Sequence, residues 1–140
     1  MKEETLNKLI KEALLARKQS YCPYSNFAVG AALITKEGRL YTGANIENAS
    51  FTPTVCAERV AFFNAVHNGE RNFAAIAIVG GKCSEKIKAF CSPCGVCRQI
   101  MAEFCAPDFE IILFDGTDKK SFTLGELLPE SFGKENIDNR

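Results

Sequence analysis

Three cysteines spaced three residues apart, Cys91, Cys94 and Cys97, stand in the stretch FCSPCGVCRQ. A proline precedes the second cysteine and an arginine follows the third. Four kinds of chemistry use cysteines in this way: a redox pair, an iron–sulfur cluster, a structural zinc site and a catalytic metal site. The functional prediction depends on which of the four applies.

The first three alternatives fit the spacing less well. A Cys-x-x-Cys pair at a helix start suits a thiol oxidoreductase, but thioredoxin-like proteins carry it after their first strands, and here it lies deep in the chain. A ferredoxin run would continue with a cysteine after three residues, whereas Cys105 follows after seven. A structural zinc site usually takes four ligands from two knuckles, and this chain offers one Cys-x-x-Cys pair with scattered single cysteines.

A second stretch, TVCAERVAFF, favours the catalytic metal site. Cys56 and Glu58 lie two residues apart on a predicted helix, so the carboxylate is expected beside the metal and not among its ligands. Cys56, Cys94 and Cys97 supply three thiolates and leave the fourth zinc position open, as catalytic sites require. Zinc would acidify a water molecule and Glu58 would relay its proton. Cys-x-Glu followed by Pro-Cys-x-x-Cys is the signature of zinc deaminases.

Three thiolates on a divalent cation leave a net negative charge, which opposes the acidification of water. We expect compensation from the helix N-termini at which both ligand clusters are predicted to lie. Arg59 and Arg98 follow the ligands closely, and either guanidinium could donate hydrogen bonds to thiolate sulfur. The alternative for both is a surface ion pair, and Arg59 is the stronger candidate for the metal site.

Composition and charge predict a single cytoplasmic domain. The 140 residues include 17 basic and 17 acidic side chains, so the charge gives no reason to expect nucleic-acid or membrane partners. The N-terminal stretch lacks the apolar run of a secretory signal. Seven cysteines in such a chain favour metal binding or catalysis over disulfides. With His67 as the single histidine and no nucleophile motif, a Ser-His-Asp or Cys-His mechanism is disfavoured.

Apolar periodicity predicts an α/β fold. An amphipathic helix is expected near residues 3–18, followed by a β-hairpin from FAVGAALIT and RLYTGANI. Thr54 is a plausible N-cap for a helix over 55–66. Further along we expect a buried strand over 73–81, a loop with a short edge strand in KCSEKIKAF, a helix over 94–104, a strand over 110–114, a turn in DGTDKK and a short helix in TLGELLP.

This order predicts a mixed sheet with helices on both faces, a three-layer α/β/α sandwich. Residues 1–140 are expected to form one domain, with a polar, frayed tail from about residue 133.

Four motifs in order, PYSNFAVGAAL, TGANIENAS, CAERVA and SPCGVCRQI, resemble the small cytidine deaminases of nucleoside salvage. The resemblance extends over roughly residues 5–132. It implies the cytidine deaminase fold and hydrolytic conversion of cytidine and deoxycytidine to uridine and deoxyuridine with release of ammonia. It also implies one zinc ion per subunit and a homotetramer with active sites at subunit interfaces.

By this resemblance Cys56, Cys94 and Cys97 are the zinc ligands and Glu58 is the proton shuttle. The resemblance also assigns substrate-binding residues. Asn45 and Glu47 would hold the ribose hydroxyls, Phe27 would lie against the nucleoside, the Ala57 backbone would lie beside the pyrimidine, and Phe132 would reach a neighbouring subunit's site. Without the resemblance, Asn45 and Glu47 fit a polar turn, and both phenylalanines fit ordinary packing positions.

Other features depart from the family pattern or have no assigned role. SFTPT replaces an aromatic, a glycine and a leucine that many relatives carry before the first ligand, which alters the loop entering the site. Cys22 occupies a position that relatives commonly fill with a smaller or hydroxylated residue. Cys83, Cys91 and Cys105 have no assigned role and are expected to be buried free thiols. Two alternatives remain open: a blasticidin-type deaminase, which is not expected to carry NIEN, and a non-catalytic zinc-binding oligomer, which would have no use for Glu58.

Overall fold

The structure is a computed structural model and describes residues 1–138. Its helices are α1 (Glu3–Arg17), α2 (Ala57–His67), α3 (Gly95–Phe104), α4 (Leu124–Leu127) and α5 (Lys134–Asp138). Its strands are β1 (Phe27–Thr35), β2 (Leu40–Ala44), β3 (Phe73–Lys82), β4 (Glu110–Phe114) and β5 (Lys119–Thr123). Among these residues no helix is both long and apolar enough to cross a membrane.

The five strands form one mixed sheet in the order β2-β1-β3-β4-β5. β3 and β4 pair in parallel, joined by a connection that contains α3, and the other neighbouring strands pair antiparallel. The β1–β2 hairpin and the buried strands β3 and β4 confirm the predictions for those segments. β3 is apolar along most of its length because both of its faces are covered.

Alternation along β3 separates two cores. Ala75, Ala77 and Val79 face α1, while Ile76 and Ile78 face the opposite side. The first core also contains Leu9, Ile10 and Ala13 of α1. The second, larger core contains Ala57, Ala61, Phe62 and Ala65 of α2 with Cys97 and Met101 of α3. This arrangement confirms the three-layer α/β/α sandwich.

Four local predictions were wrong. Thr54 does not cap α2, because Cys56 is the N-cap and the Thr54 hydroxyl instead accepts a hydrogen bond from Asn48 N–H. The expected edge strand in 83–90 is not present among the described residues. The strand β5, which forms a hairpin with β4, was missed because KKSFT has few apolar residues. A short helix, α5, occupies part of the tail that was expected to be frayed.

Candidate active site

Three thiols converge between the N-termini of α2 and α3. The Cys56 and Cys94 Sγ atoms are 3.8 Å apart, and the Cys94 and Cys97 Sγ atoms are 3.5 Å apart. All three sulfurs lie within 4.8 Å of one another. Tetrahedral zinc with Zn–S bonds of about 2.3 Å requires sulfur separations of about 3.8 Å. The donor set therefore fits a zinc ion with three protein ligands.

The local backbone explains why these thiols meet. Cys56 and Cys94 are the N-cap residues of α2 and α3, both with extended backbone dihedrals, and Cys97 lies in the first turn of α3. At an N-cap the side chain lies beside the first backbone N–H groups of the helix, where the helix dipole favours negative charge. The N-termini of α2 and α3 both lie beside the thiols, as the sequence predicted.

Glu58 lies in the first turn of α2, two residues after Cys56, and only 4% of its surface is exposed. Burial raises the pKa of the Glu58 carboxyl to about 7, and the nearby Cys56 thiolate acts in the same direction. A carboxyl group with a pKa near neutrality can both accept and release a proton under physiological conditions. The sequence had predicted this position beside the thiols, and the pKa agrees with a proton-transfer role.

The thiols are unequal in acidity without a bound metal. Interaction with the Cys97 thiol, together with hydrogen bonds from Arg59 and Cys94, lowers the pKa of Cys56 to about 5. The pKa of Cys97 is raised, because its thiol donates to the Cys56 thiolate and is buried. The cluster thus favours at least one thiolate at neutral pH, the form in which cysteine binds metal.

The two arginines near the ligands have different partners. Arg59 Nη2 donates to Cys56 Sγ at 3.4 Å, as predicted. Arg59 Nε is buried and has no hydrogen-bond partner among the described residues. Arg98 instead donates to two backbone carbonyl oxygens, those of Pro93 at 2.8 Å and Leu127 at 2.6 Å. Arg98 therefore ties α3 to the segment before it and to α4 through backbone carbonyl groups, in contrast to the thiol contact of Arg59.

The Asn45 side chain holds the start of β1. Its Oδ1 accepts hydrogen bonds from Val29 N–H at 2.9 Å and from the Ser20 hydroxyl at 2.5 Å, and its Nδ2 donates to the Phe27 carbonyl at 2.8 Å. Asn45 follows the last residue of β2 and is buried. Among residues 1–138 this amide nitrogen donates to Phe27 alone, so its second N–H can donate to another acceptor.

Glu47 is held by the turn that precedes β1. Its carboxylate accepts hydrogen bonds from Tyr24 N–H at 2.9 Å, from Ser25 N–H at 3.1 Å and from the Ser25 hydroxyl. The Ser25 hydroxyl contributes most to lowering the pKa of Glu47. Glu47 also lines a cavity of about 320 Å³ together with Tyr24, Ser25, Phe51 and Thr54.

Phe27 and Ala57, which were also predicted to bind the substrate, lie on different elements, β1 and α2. Phe27, the first residue of β1, shares the sheet face of Ala31 and Leu33 and so lies on the α2/α3 side. A methyl group placed on Gly80 would lie 3.2 Å from its ring and 2.6 Å from Cys91 Sγ, so Phe27 approaches the segment that leads to Cys94. Ala57 is fully buried directly after Cys56.

Phe132 lies in the segment between α4 and α5. The residue is 62% exposed, and its carbonyl accepts a hydrogen bond from Gln99 of α3 at 2.9 Å.

Sequence reasoning did not single out Ser20, Tyr24, Ser25 or Phe51. Ser20, Tyr24 and Ser25 lie in the turn between α1 and β1, and Phe51 belongs to the loop that departs from the family pattern. The hydrogen bonds of Ser20 to Asn45 and of Tyr24 and Ser25 to Glu47 bridge 25, 23 and 22 positions in sequence. The available signal was the set of small polar residues in SYCPYSN, which alone indicates only a turn.

The other four cysteines differ in burial, and of the three predicted to be buried, Cys91 and Cys105 are only partly so. Cys22 is buried, and burial raises the pKa of Cys91 to about 11 and that of Cys105 to about 12. Cys83 is exposed, which contradicts the prediction, because it follows β3 in an irregular loop. His67 is the last residue of α2.

Comparison with known proteins identifies the family. The model of the cytidine and deoxycytidylate deaminase zinc-binding region matches residues 3–113. The chain belongs to this family. A cytidine deaminase of Sporosarcina psychrophila is 45% identical over 94% of both chains, and one of Halalkalibacterium halodurans is 47% identical over 94% of this chain and 96% of the relative. A crystal structure of cytidine deaminase from Burkholderia pseudomallei, 43% identical, matches with a TM-score of 0.83 over 94% of this chain and all of that one.

Family membership agrees with the geometry of the thiols. The matched region is a zinc-binding region, and the Cys56–Cys94 and Cys94–Cys97 sulfur separations of 3.8 and 3.5 Å are close to those of zinc thiolate sites. Zinc is the cofactor, and the protein is a hydrolytic deaminase. The fold also agrees, since the matched crystal structure covers the same arrangement of sheet and helices.

Proposed function

We propose that this enzyme converts cytidine and deoxycytidine to uridine and deoxyuridine in pyrimidine salvage, consuming one water molecule and releasing ammonia. The observation that carries the proposal is the convergence of three thiols and a buried carboxyl group at the N-termini of α2 and α3. The cytidine deaminases that match nearly the whole chain support the substrate.

Cys56, Cys94 and Cys97 hold the zinc ion in this proposal, and Glu58 is the catalytic acid and base. Bound zinc supplies a Lewis acid that lowers the pKa of a water molecule. Glu58 accepts a proton as the water oxygen attacks C4 of the pyrimidine, and it returns the proton to the substrate so that the amino group can leave as ammonia. Burial supports this role because it keeps the carboxyl pKa near neutrality.

The ribose is proposed to bind Glu47 and Asn45. The Glu47 carboxylate is already oriented by Tyr24 and Ser25, so little side-chain freedom is lost when a hydroxyl donates to it. The remaining amide N–H of Asn45 can donate to a ribose oxygen. Phe27 would lie against the nucleoside, and the Ala57 backbone would lie beside the pyrimidine next to Glu58.

We also propose a homotetramer in which subunits share active sites. Aromatic side chains that line the cavity beside Glu47, or that are proposed to contact the substrate, are exposed in the single chain: Phe51 by 70%, Phe132 by 62%, Tyr24 by 52% and Phe27 by 40%. Exposed aromatic side chains of this kind favour contact with another chain. In this arrangement Phe132 completes the site of a neighbouring subunit. The proposed location is the cytoplasm, where the seven free cysteines would stay reduced.

The test is a comparison of substrates on the zinc-loaded protein. We expect cytidine and deoxycytidine to lose their ultraviolet band with stoichiometric release of ammonia, while blasticidin S is turned over far more slowly. Efficient turnover of blasticidin S with no reaction of cytidine would contradict the proposal. A zinc-bound protein with no reaction of any of these substrates would point to the non-catalytic alternative.

A further inference from the structure

The catalytic helix α2 packs on β2 at a glycine. A Cβ atom built on Gly43 would lie 2.5 Å from the Ala57 carbonyl oxygen and 2.5 Å from the Ala61 nitrogen. It would also lie 2.9 Å from the Val60 Cβ atom. Two of these three contacts are with helix backbone, which cannot rotate away as a long side chain could. No residue larger than glycine fits at position 43 unless the helix moves.

The requirement at Gly43 is for space and not for an unusual backbone conformation. Gly43 is an interior residue of β2, paired with Ala31 of β1, and it is not among the glycines with positive φ. Ala31 belongs to the α2/α3 core, so position 43 faces the same helices. A glycine inside a strand often marks the place where another backbone approaches closely.

The contact lies in the turn of α2 that carries the chemistry. Ala57 O and Ala61 N are the two ends of one helical i to i+4 hydrogen bond. Cys56 is the N-cap immediately before this turn, and Glu58 lies within it. Any outward shift of the turn therefore moves one thiol and the carboxyl group together, away from Cys94 and Cys97, which are carried by α3.

We propose that Gly43 is a positioning residue: its missing side chain sets the depth of α2 on the sheet, and thereby the distance of Cys56 and Glu58 from Cys94 and Cys97. This inference deepens the proposed function, since it concerns the same metal site. Gly43 touches neither metal nor substrate and acts through the backbone of α2.

The sheet provides a matched control. A Cβ atom on Gly30 would lie 2.1 Å from the Ala13 carbonyl oxygen and 2.6 Å from the Arg17 nitrogen, so α1 packs on β1 as closely as α2 packs on β2. Gly30 pairs with Ala44, the neighbour of Gly43, but it faces the opposite side of the sheet. An alanine at either position should destabilise the fold, whereas only alanine at position 43 should alter the metal site.

The experiment compares Gly43→Ala with Gly30→Ala and the wild type, each loaded with cobalt(II) in place of zinc. The ligand-field and thiolate-to-cobalt charge-transfer bands report the geometry of the sulfur ligands independently of turnover. We expect Gly43→Ala to shift these bands, to weaken cobalt binding by about 10-fold or more, and to lower kcat per bound metal on the order of 100-fold. Gly30→Ala should keep the wild-type spectrum and kcat per bound metal despite a lower melting temperature.

A wild-type spectrum and affinity in folded Gly43→Ala would overturn the proposal, and so would equal spectral changes in both variants. If Gly43→Ala does not fold, Val60→Ile adds bulk beside the same contact, and its spectrum decides: shifted bands support the proposal and unchanged bands overturn it. Failure of the wild type to turn over cytidine would contradict the proposed function, while the spectra would still test the positioning role.

Discussion

Cys56 and Glu58 share one helical turn but need different surroundings. Cys56 must be a thiolate to bind metal, and its contacts with Cys97, Arg59 and Cys94 lower its pKa to about 5. In the proposed mechanism Glu58 holds and releases a proton, and burial raises its pKa to about 7. A separation of two residues gives the two side chains these different surroundings. The Cys56 side chain lies at the N-cap, at the end of the helix, while Glu58 is packed within the first turn.

The metal assignment predicts opposite results for two cysteines three positions apart. Cys94→Ser should lose bound zinc and activity, because zinc prefers thiolate to hydroxyl as the third ligand. Cys91→Ser should keep stoichiometric zinc, since Cys91 is a packed thiol whose pKa of about 11 keeps it protonated. Metal analysis of both purified variants measures the difference. Full zinc content in Cys94→Ser, or loss of zinc in Cys91→Ser, would contradict the ligand set.

The turn around Glu47 gives a prediction for Ser25. Ser25→Ala removes the hydroxyl that donates to Glu47 and that contributes most to its low pKa. We expect KM for cytidine to rise about 5- to 10-fold, the loss of about one hydrogen bond, with little change in kcat. Ser121→Ala is the matched control, because the Ser121 hydroxyl donates to Glu110 at 2.5 Å on the β4–β5 hairpin. Equal effects on KM in the two variants would remove Ser25 from the substrate site.

At the scale of elements, α2 is fastened to β2 near both of its ends. Near its start the helix backbone meets Gly43. Beyond its end, Glu70 accepts hydrogen bonds from Arg39 Nε at 2.5 Å, from Arg39 Nη2 at 2.7 Å and from the Tyr41 hydroxyl at 2.8 Å. A helix held at two points against one strand can keep its N-terminal turn in a fixed position.

The Glu70 cluster makes the stability dependent on pH. Hydrogen bonds from Arg39 and Tyr41 lower the pKa of Glu70 from its ordinary value of 4.5 to about 2. A carboxyl group with a lowered folded-state pKa stabilises the fold above its ordinary pKa, and the contribution is lost as the pH falls toward the folded-state value. We therefore expect Glu70→Gln to lower the melting temperature at pH 7, with the difference from wild type shrinking between about pH 4.5 and 2.

Glu85→Gln is the control for that measurement, because Glu85 pairs with Lys88 at 2.8 Å on an exposed loop and should contribute little. A difference between Glu70→Gln and wild type that stays constant over the acidic range would contradict the role of the Glu70 charge.

The sequence predicted the elements whose patterns are strong and missed those set by tertiary contacts. The long amphipathic α1 and the apolar β3 and β4 carry their own signals. β5 has polar and aromatic residues that are exposed or half-exposed, and its pairing with β4 makes it a strand. Cys56 caps α2 in place of Thr54 because the bridge between Ile46 and Val55 keeps the chain extended up to that point.

The candidate site also contains residues that a local pattern revealed and residues that only tertiary contacts bring together. The two short motifs located the thiols and Glu58, because ligand spacing on helix N-termini is a local property. The residues that orient Asn45 and Glu47 come from a turn about 20 or more positions earlier, which no local pattern links to them.

At the scale of the whole molecule, the three layers bring two helix N-termini to one end of the sheet. α2 and α3 lie on the same face, so their N-cap cysteines meet without either helix bending. Aromatic rings around this end remain exposed in the single chain. The proposed tetramer would cover them.

Shared sites predict activity from a mixture of two inactive variants. Glu58→Gln removes the proton carrier, and Phe132→Ala removes the ring proposed to reach a neighbouring subunit. If the subunits are exchanged by mixing and refolding, some sites combine an intact Glu58 from one chain with an intact Phe132 from another. We expect activity above that of either variant alone. Activity no greater than the average of the two parents would show that each chain forms its own site.

In the proposed reaction the enzyme deaminates cytidine with one zinc ion held by three cysteines beside Glu58. The most direct measurement is the initial rate of cytidine loss as metal-free protein is titrated with zinc, alongside Glu58→Gln. We predict that the rate rises linearly and stops rising at one zinc ion per chain, and that Glu58→Gln binds the same amount of zinc but turns over about 100- to 10,000-fold more slowly. A rate independent of zinc, or a Glu58→Gln variant within about tenfold of wild type, would contradict the account.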